Sequence, residues 1–252
     1  MNSLISRKLR KLIRNLPNLS QGYNIYVDRD KLSLIDLTFR EILPQARSFA
    51  DLGGVWKVNA AYTIHTLKKY HIERSFLVDT DISGPLTLRL RQFSNLAVIN
   101  DDFASPFVVE KAGNVDVLFL FDVLLHQANP DWDEILERYA AHCSCILIYN
   151  QQFVQRDETI RLTDLPLDQY IALASDHNYE LTRYIYEHRN EIHPRFKKPW
   201  KDIHNIAQWG ITDRTLRETM TRLGFREVLF RNHGIFINLP AFENHAFVFV
   251  RR

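Results

Sequence analysis

Short continuous apolar runs recur along this chain from residue 46 onward, separated by stretches of helical spacing. Ser48-Phe49-Ala50-Asp51-Leu52, Ser75-Phe76-Leu77-Val78-Asp79, Leu96-Ala97-Val98-Ile99, Val115 to Asp122 and Cys145 to Tyr149 read as strands. Between them, residues 58–70 and 85–93 read as helices. A further helix runs from Asn129-Pro130 to about residue 141, with Asn129 as its N-cap and Pro130 in the first turn. Strands alternating with helices predict right-handed crossovers and a parallel sheet. Runs as continuous as Val117 to Phe121 fit strands covered on both faces.

The two ends and one interior stretch break this rhythm. Leu4, Ile5, Leu9, Leu12, Ile13 and Leu16 recur at helical spacing among Arg7, Lys8, Arg10, Lys11 and Arg14, which predicts a basic amphipathic helix ended by Pro17. Its basic face is read as solvated, with at most a weak surface association through residues 1–16. Residues 31–43 predict a second helix, closed by Pro44. Residues 151–208 are rich in histidine and aromatics and read as a mostly helical insertion over the carboxyl edge of the sheet. After it, Ile211-Thr212-Asp213 opens a helix that Gly224 ends. Glu227 to Arg231 and Ala246 to Val250 are two final strands, paired as an antiparallel hairpin across a long connection from Asn232 to Asn244. The fold class is therefore α/β: a Rossmann-like doubly wound sheet, mostly parallel, with a C-terminal antiparallel strand and a helical lid. The expected division is residues 1–45 as N-terminal helices, 46–150 with 210–252 as the nucleotide-binding core, and 151–209 as the substrate-side insertion.

Composition narrows the class. The 252 residues are 46% hydrophobic, enough for one sizeable core. A formal net charge of +2 gives no field that would favour nucleic acid. Cys143 and Cys145 stand two apart in a strand and face the same way, so they read as reduced, buried residues. The sequence shows neither a membrane span nor a secretory signal, and a cytoplasmic location is expected.

In open α/β sheets, ligands sit at the carboxyl ends of the strands. Four such ends carry polar groups suited to a nucleoside. Asp51-Leu52-Gly53-Gly54 joins a strand to a helix, where glycine admits a close ligand. Asp79 ends the second strand, where a carboxylate can accept from ribose hydroxyls. Asp102-Phe103 follows the third, offering an acceptor for an exocyclic amine and a ring for a purine face. Asp122 ends the fourth.

This ordered set, with Phe121-Asp122-Val123-Leu124-Leu125-His126, Ile211-Thr212 and Leu223-Gly224-Phe225, resembles the class I S-adenosylmethionine-dependent methyltransferases. The resemblance covers roughly residues 46–150 and 210–252. It implies that Asp51 and Gly53 face the methionine part of S-adenosylmethionine, that Asp79 binds ribose, and that Asp102 with Phe103 meets adenine. The family's loop has a second glycine where this chain has Val55, and Gly54 is the substitute close approach. A dehydrogenase would want G-x-G-x-x-G, and an NTPase a glycine-rich loop ending in Lys and Ser or Thr; neither is present.

Methyl transfer to a hydroxyl needs alignment and a proton acceptor. His126, four residues past Asp122, is one candidate base, and His204 in the insertion is the other. Trp56, His193, Trp200 and Trp209 are candidate acceptor-binding residues, with core packing as the plainer reading of the tryptophans. Asp122-Val123-Leu124-Leu125 lacks the Pro-Pro pair of methyltransferases that act on base amines. Asp122 with Asn150-Gln151 is a poor set for a hard divalent cation, so no metal is expected. The expected activity is O-methylation of a small hydroxylated acceptor such as a sugar or secondary metabolite. A non-catalytic scaffold of the same fold and a protein or RNA methyltransferase are the alternatives. The oligomeric state is not legible.

Overall fold

The computed structural model describes residues 12–18, 23–174, 179–204, 206–236, 239 and 241–252. Its elements in chain order are β1 (Leu12–Asn18), β2 (Tyr23–Asp28), α1 (Arg29–Leu37), β3 (Ser48–Leu52), α2 (Ala61–Lys69), β4 (Arg74–Asp79), α3 (Gly84–Leu90), β5 (Leu96–Asn100), α4 (Pro106–Ala112), β6 (Val115–Phe121), α5 (Trp132–Ala140), β7 (Cys143–Phe153), β8 (Ile160–Arg161), α6 (Leu167–Ala174), α7 (Tyr179–Glu187), β9 (Trp209–Gly210), α8 (Asp213–Arg222), β10 (Phe225–Ile235) and β11 (Phe242–Arg251). Seven strands form one sheet in the order β10-β11-β7-β6-β3-β4-β5. The β3–β4, β4–β5 and β3–β6 pairs are parallel, and β10–β11 is antiparallel. The expected α/β Rossmann-like class is the observed one. Among the described residues, no helix is long and apolar enough to cross a membrane.

Contacts divide the chain into two compact units, residues 1–121 with 141–147 and residues 122–140 with 148–252. In the first, Phe49 stacks on Phe119 at 5.0 Å and Phe119 on Phe121 at 5.5 Å, while Tyr62 meets Phe121 edge-on. Register sets the strand tips: Leu52 lies opposite Val78 and Leu120, and Asp79 opposite Asn100. At the opposite end, the Asp116 carboxylate accepts from the Arg47 and Ser48 amides and the Ser48 hydroxyl, fixing where β3 begins beside β6. The second unit has its own core of Leu125, Phe153, Leu162, Tyr170, Ile185 and Phe242 with their neighbours.

Several local expectations are corrected. Residues 12–18, expected to continue a helix from residue 2, form β1 and pair with β2; residues 1–11 lie outside the described residues. A few apolar positions satisfy both periods, and the β-prone Tyr23-Asn24-Ile25-Tyr26-Val27 supplies a partner strand. Asn129 is not an N-cap: it has φ 53°, and α5 begins later, at Trp132. Asp131 supplies the first helical carbonyl to the Ile135 amide, and its own amide donates to the Glu134 carboxylate. The 151–208 stretch holds helices α6 and α7, but also β8, which pairs antiparallel with β9 just beyond it, and β7 runs on to Phe153. The final hairpin keeps pairing through Ile235–Glu243, so its connection is far shorter than residues 232–244.

Asp36 shows how polar groups fasten α1 to α2. Its carboxylate accepts from Lys69 at 2.7 Å and Tyr70 at 2.6 Å and contacts His65 at 2.8 Å. Burial alone would raise its pKa, but these three bonds outweigh it and hold the carboxyl at about 2. Such a group stabilises the fold above the usual carboxylate pKa, and the contribution is lost as pH falls through about 2. Asp36→Ala is expected to lower unfolding free energy by about 1–3 kcal/mol at pH 7. In urea titrations the difference from wild type should shrink between pH 4 and 2.

Candidate active site

The chain leaves β3 through a tightly wound loop. Gly53, at φ 76°, donates its amide to Val78 O at 2.8 Å. Lys57, Asn59 and Ala60 are also left-handed. For non-glycine residues that conformation costs about 1–2 kcal/mol each, least for Asn. The loop recovers this through Ala60 N–H to Gly54 O, Asn59 N–H to Val55 O, and full burial of Val55 and Ala60 against Leu77, Leu86 and Leu90.

Two acids hold the loop from below. Asp51 is 1% exposed and accepts from the Thr63 hydroxyl at 2.5 Å and from the Thr63 amide, anchoring the first turn of α2. Burial pushes its carboxyl up to about 7, with the Asp79 charge adding and Thr63 opposing. A Cβ on Gly54 would lie 2.4 Å from Asp51 Oδ2, so the second glycine makes room for this carboxylate. Asp79, at the tip of β4, accepts from the Val55 amide at 2.9 Å and the Asp81 amide at 3.0 Å. Burial raises its pKa, and the two amides oppose the shift. A carboxylate offers about four acceptor sites, so two backbone donors leave capacity for a vicinal diol. This acceptor, at a glycine loop, fits a nucleoside ribose.

The other predicted residues of this unit are placed less directly. Asp102 Oδ1 accepts from the Ala104 amide, and Phe103 is buried at 9% exposure. Trp56 stands 59% exposed with the Lys57 ammonium 4.2 Å from its ring centre.

In the second unit, Asp122 is left-handed at φ 57° and its amide donates to Tyr149 O. Its carboxylate accepts from Gln151 Nε2 at 2.7 Å, and the same nitrogen donates to Asn244 Oδ1 at 3.2 Å. The turn that follows is clamped by the insertion through four bonds. His126 Nδ1 bonds Ile206 O at 2.9 Å, and His204 Nδ1 bonds His126 O at 3.1 Å. The Gln208 amide donates to Leu125 O, and Trp209 Nε1 donates to Gln127 O. A carbonyl partner makes Nδ1 of His126 the protonated nitrogen and leaves the lone pair on Nε2. Burial lowers the His126 pKa, with the Ile206 bond and the Asp122 charge opposing and His204 adding.

Asp202 pairs with Arg161 at 2.6 Å. Trp200 packs against Tyr184 and His193, and His193 Nδ1 accepts from the Arg195 and Phe196 amides. Trp209 lies beside the Arg161 guanidinium and donates its Nε1 hydrogen to Gln127 O. His177 lies outside the described residues. His245, 4% exposed, is held between Asp213 at 2.8 Å and Glu243 at 3.3 Å. Burial would lower its pKa, and the two carboxylates raise it. A cleft of about 280 Å³ beside the end of β7, lined by Arg156, Asp157, Thr212, Asp213 and Arg214 among others, contains none of the predicted site residues. Sequence reasoning missed Thr63, Gln151 and Asn244 as partners of the strand-end acids; the run of three amides at residues 150–152 was the available signal.

No protein-family model and no curated protein matches this sequence. Solved structures do match in fold. The N-terminal domain of EvdMO1, crystallised in the presence of S-adenosylhomocysteine and D-fucose, aligns over all of this chain and 96% of its own at TM-score 0.57 and 12% identity. A Burkholderia thailandensis 1,6-didemethyltoxoflavin-N1-methyltransferase, with that substrate and S-adenosylhomocysteine bound, aligns over 88% of this chain and 78% of its own at TM-score 0.56 and 11% identity. An O-methyltransferase family protein from the same organism aligns over 89% of this chain at TM-score 0.54 and 12% identity, and this chain spans 56% of its length. The protein shares the Rossmann-like α/β fold of these structures.

Gly54→Ala is expected to cost about 1–3 kcal/mol of stability, since the new methyl must displace a buried carboxylate. The cost should be smaller when Asp51 is also changed to Ala; additive losses in a urea double-mutant cycle would show that the two groups do not meet.

Proposed function

We propose that the protein is an S-adenosylmethionine-dependent methyltransferase that methylates a hydroxyl of a small acceptor, such as a sugar or a secondary metabolite, in the cytoplasm. The observation that carries this reading is the Asp79 carboxylate, bonded to the Val55 amide at 2.9 Å beneath a left-handed glycine loop. Asp79 binds the ribose diol, and Gly53 with Val55 lines the approach to the methionine portion. Asp102 receives the adenine amine, with Phe103 beside it. Asp51 acts one step removed, by holding α2 and the loop through Thr63. The bound cofactor supplies an electrophilic methyl group on a sulfonium. The neighbours crystallised in the presence of S-adenosylhomocysteine and D-fucose, or with 1,6-didemethyltoxoflavin and S-adenosylhomocysteine bound, support a small acceptor.

His126 is the base in this reading. Its tautomer leaves Nε2 able to take a hydroxyl proton, and its lowered pKa keeps it neutral at pH 7. His204 is a positioning residue: its Nδ1 grips the His126 carbonyl and its Nε2 lies 3.5 Å from the Lys198 ammonium. Residues 151–209 form the acceptor-side insertion, with Asp122 held at its lip by Gln151.

S-adenosylhomocysteine is expected to bind and to raise the melting temperature. Asp79→Ala should weaken binding at least tenfold by calorimetry; unchanged affinity would remove the ribose assignment. His126→Gln should lower kcat by about 10²-fold with cofactor affinity intact. His204→Gln should lower it far less. Because the base works only when neutral and its pKa is lowered, wild-type kcat should fall only below the ordinary histidine range, near pH 6.5.

A further inference from the structure

The last hairpin and α8 meet around a buried imidazole. His245, on β11, is 4% exposed, and each of its ring nitrogens faces a carboxylate. Nδ1 lies 2.8 Å from Asp213 Oδ1 at the start of α8, and Nε2 lies 3.3 Å from Glu243 Oε2, two residues back along β11. Ionised carboxylates only accept, and a neutral imidazole carries a single N–H. Both contacts are therefore made together only when both nitrogens are protonated. The surroundings suit that imidazolium. Asn232 Nδ2, from β10, donates to the same Glu243 oxygen at 2.6 Å. Arg217, one turn along α8, reaches Asp213 at 3.5 Å and Glu227 of β10 at 2.7 Å. The Phe230 ring shields both cations: it meets His245 edge-on at 5.3 Å, and its centre lies 4.7 Å from the Arg217 guanidinium. Without the imidazolium proton, the Asp213, Glu243 and Glu227 carboxylates would face Arg217 alone.

We propose that His245 is a pH-sensitive clasp: protonated, it ties the start of α8 to the terminal hairpin, and on losing its proton it lets that joint open. This goes beyond the methyltransferase reading and does not rest on it. Deprotonation leaves at most one of the two bonds and removes a cation from between two carboxylates, in a site sheltered from water where charges act more strongly than at the surface. Burial favours the neutral ring, and the Asp213 and Glu243 carboxylates outweigh it, so the group titrates above the ordinary histidine range. A histidine raised in this way contributes stability that is complete below about 6.5 and is lost as pH rises through the folded-state value. The clasp thus holds on the acidic side and releases on the alkaline side. The joint lies just past the insertion: the Ile211 carbonyl accepts from the Phe153 amide at 2.8 Å, and the Thr212 amide donates to the Thr159 hydroxyl at 3.0 Å. Release frees the first turn of α8 beside the cleft that Thr212, Asp213 and Arg214 line.

The test follows the full chain from pH 5.5 to 9.5 by NMR of its histidine rings and by amide hydrogen exchange, corrected for the intrinsic pH dependence of exchange. Wild type is compared with His245→Gln, which cannot carry the charge, and with Glu243→Gln, which keeps the imidazole and removes one carboxylate charge. In wild type His245 is expected to titrate above 6.5. Across that titration, protection of the Thr215 and Leu216 amides, both bonded to Thr212, should fall at least tenfold. The His245 midpoint should be lower in Glu243→Gln. In His245→Gln, protection of the same amides should be low at every pH and its dependence on pH gone. A wild-type midpoint at or below 6.5, or protection that changes less than threefold through the titration, would overturn the proposal. Should His245→Gln fail to fold, Glu243→Gln decides: a His245 midpoint that is unmoved or raised there overturns the clasp.

Discussion

The hydrogen bond from the Val55 amide to the Asp79 carboxylate is the constraint on which the cofactor-side geometry depends. It joins the tip of β4 to the loop that leaves β3, and it does so where the backbone is least comfortable. Lys57, Asn59 and Ala60 hold left-handed conformations within a few residues of it. Conformations of this kind persist only where the surroundings over-determine them. Here the Asp79 bond, the Gly53 amide on Val78 and the buried side chains of Val55 and Ala60 supply that determination. Asp51 completes the arrangement from beneath by gripping the first turn of α2 through Thr63. The two acids repel each other, and burial pushes both toward their neutral forms. A buried pair of carboxyls is an unfavourable foundation for a loop, and the Val55 and Asp81 amides on Asp79 and the Thr63 hydroxyl on Asp51 offset that cost.

The second unit solves a comparable problem by reaching across the sequence. The turn after β6 has little structure of its own: a single 3-10 turn, Leu124–His126. Residues 204–209 fix it by bonding Leu125, His126 and Gln127 in succession. The same bonds set the His126 tautomer, so stability and proton affinity have one source here. Arg161 extends the brace by pairing with Asp202 and lying over Trp209. The histidine and tryptophan that make this insertion conspicuous in the sequence thus serve in large part to hold its own backbone.

What the sequence disclosed follows from the range of the interactions involved. The strand tips were legible because apolar runs end abruptly at Asp51, Asp79 and Asp122, and the parallel order because helices intervene. The glycine pair was legible as a loop, but its reason was not. Gly54 is matched to a side chain three residues earlier, and only the fold brings them within contact. The Asp122–Gln151–Asn244 chain joins residues 29 and 93 positions apart, and the His126–Ile206 bond spans 80. No local periodicity encodes such pairs. At the N-terminal side, local periodicity misled, because Leu12, Ile13 and Leu16 suit a helix until β2 offers a hydrogen-bonding edge.

Asn150, Gln151 and Gln152 bring these strands of reasoning together. Ile146, Leu147, Ile148 and Tyr149, immediately before them in β7, are buried. Three successive amides in such a place give up hydrophobic burial and gain little unless each finds a partner. Gln151 has found two within the chain, and its role as a brace for Asp122 accounts for it. The same account cannot extend to its neighbours, whose side chains emerge on the other face of the strand.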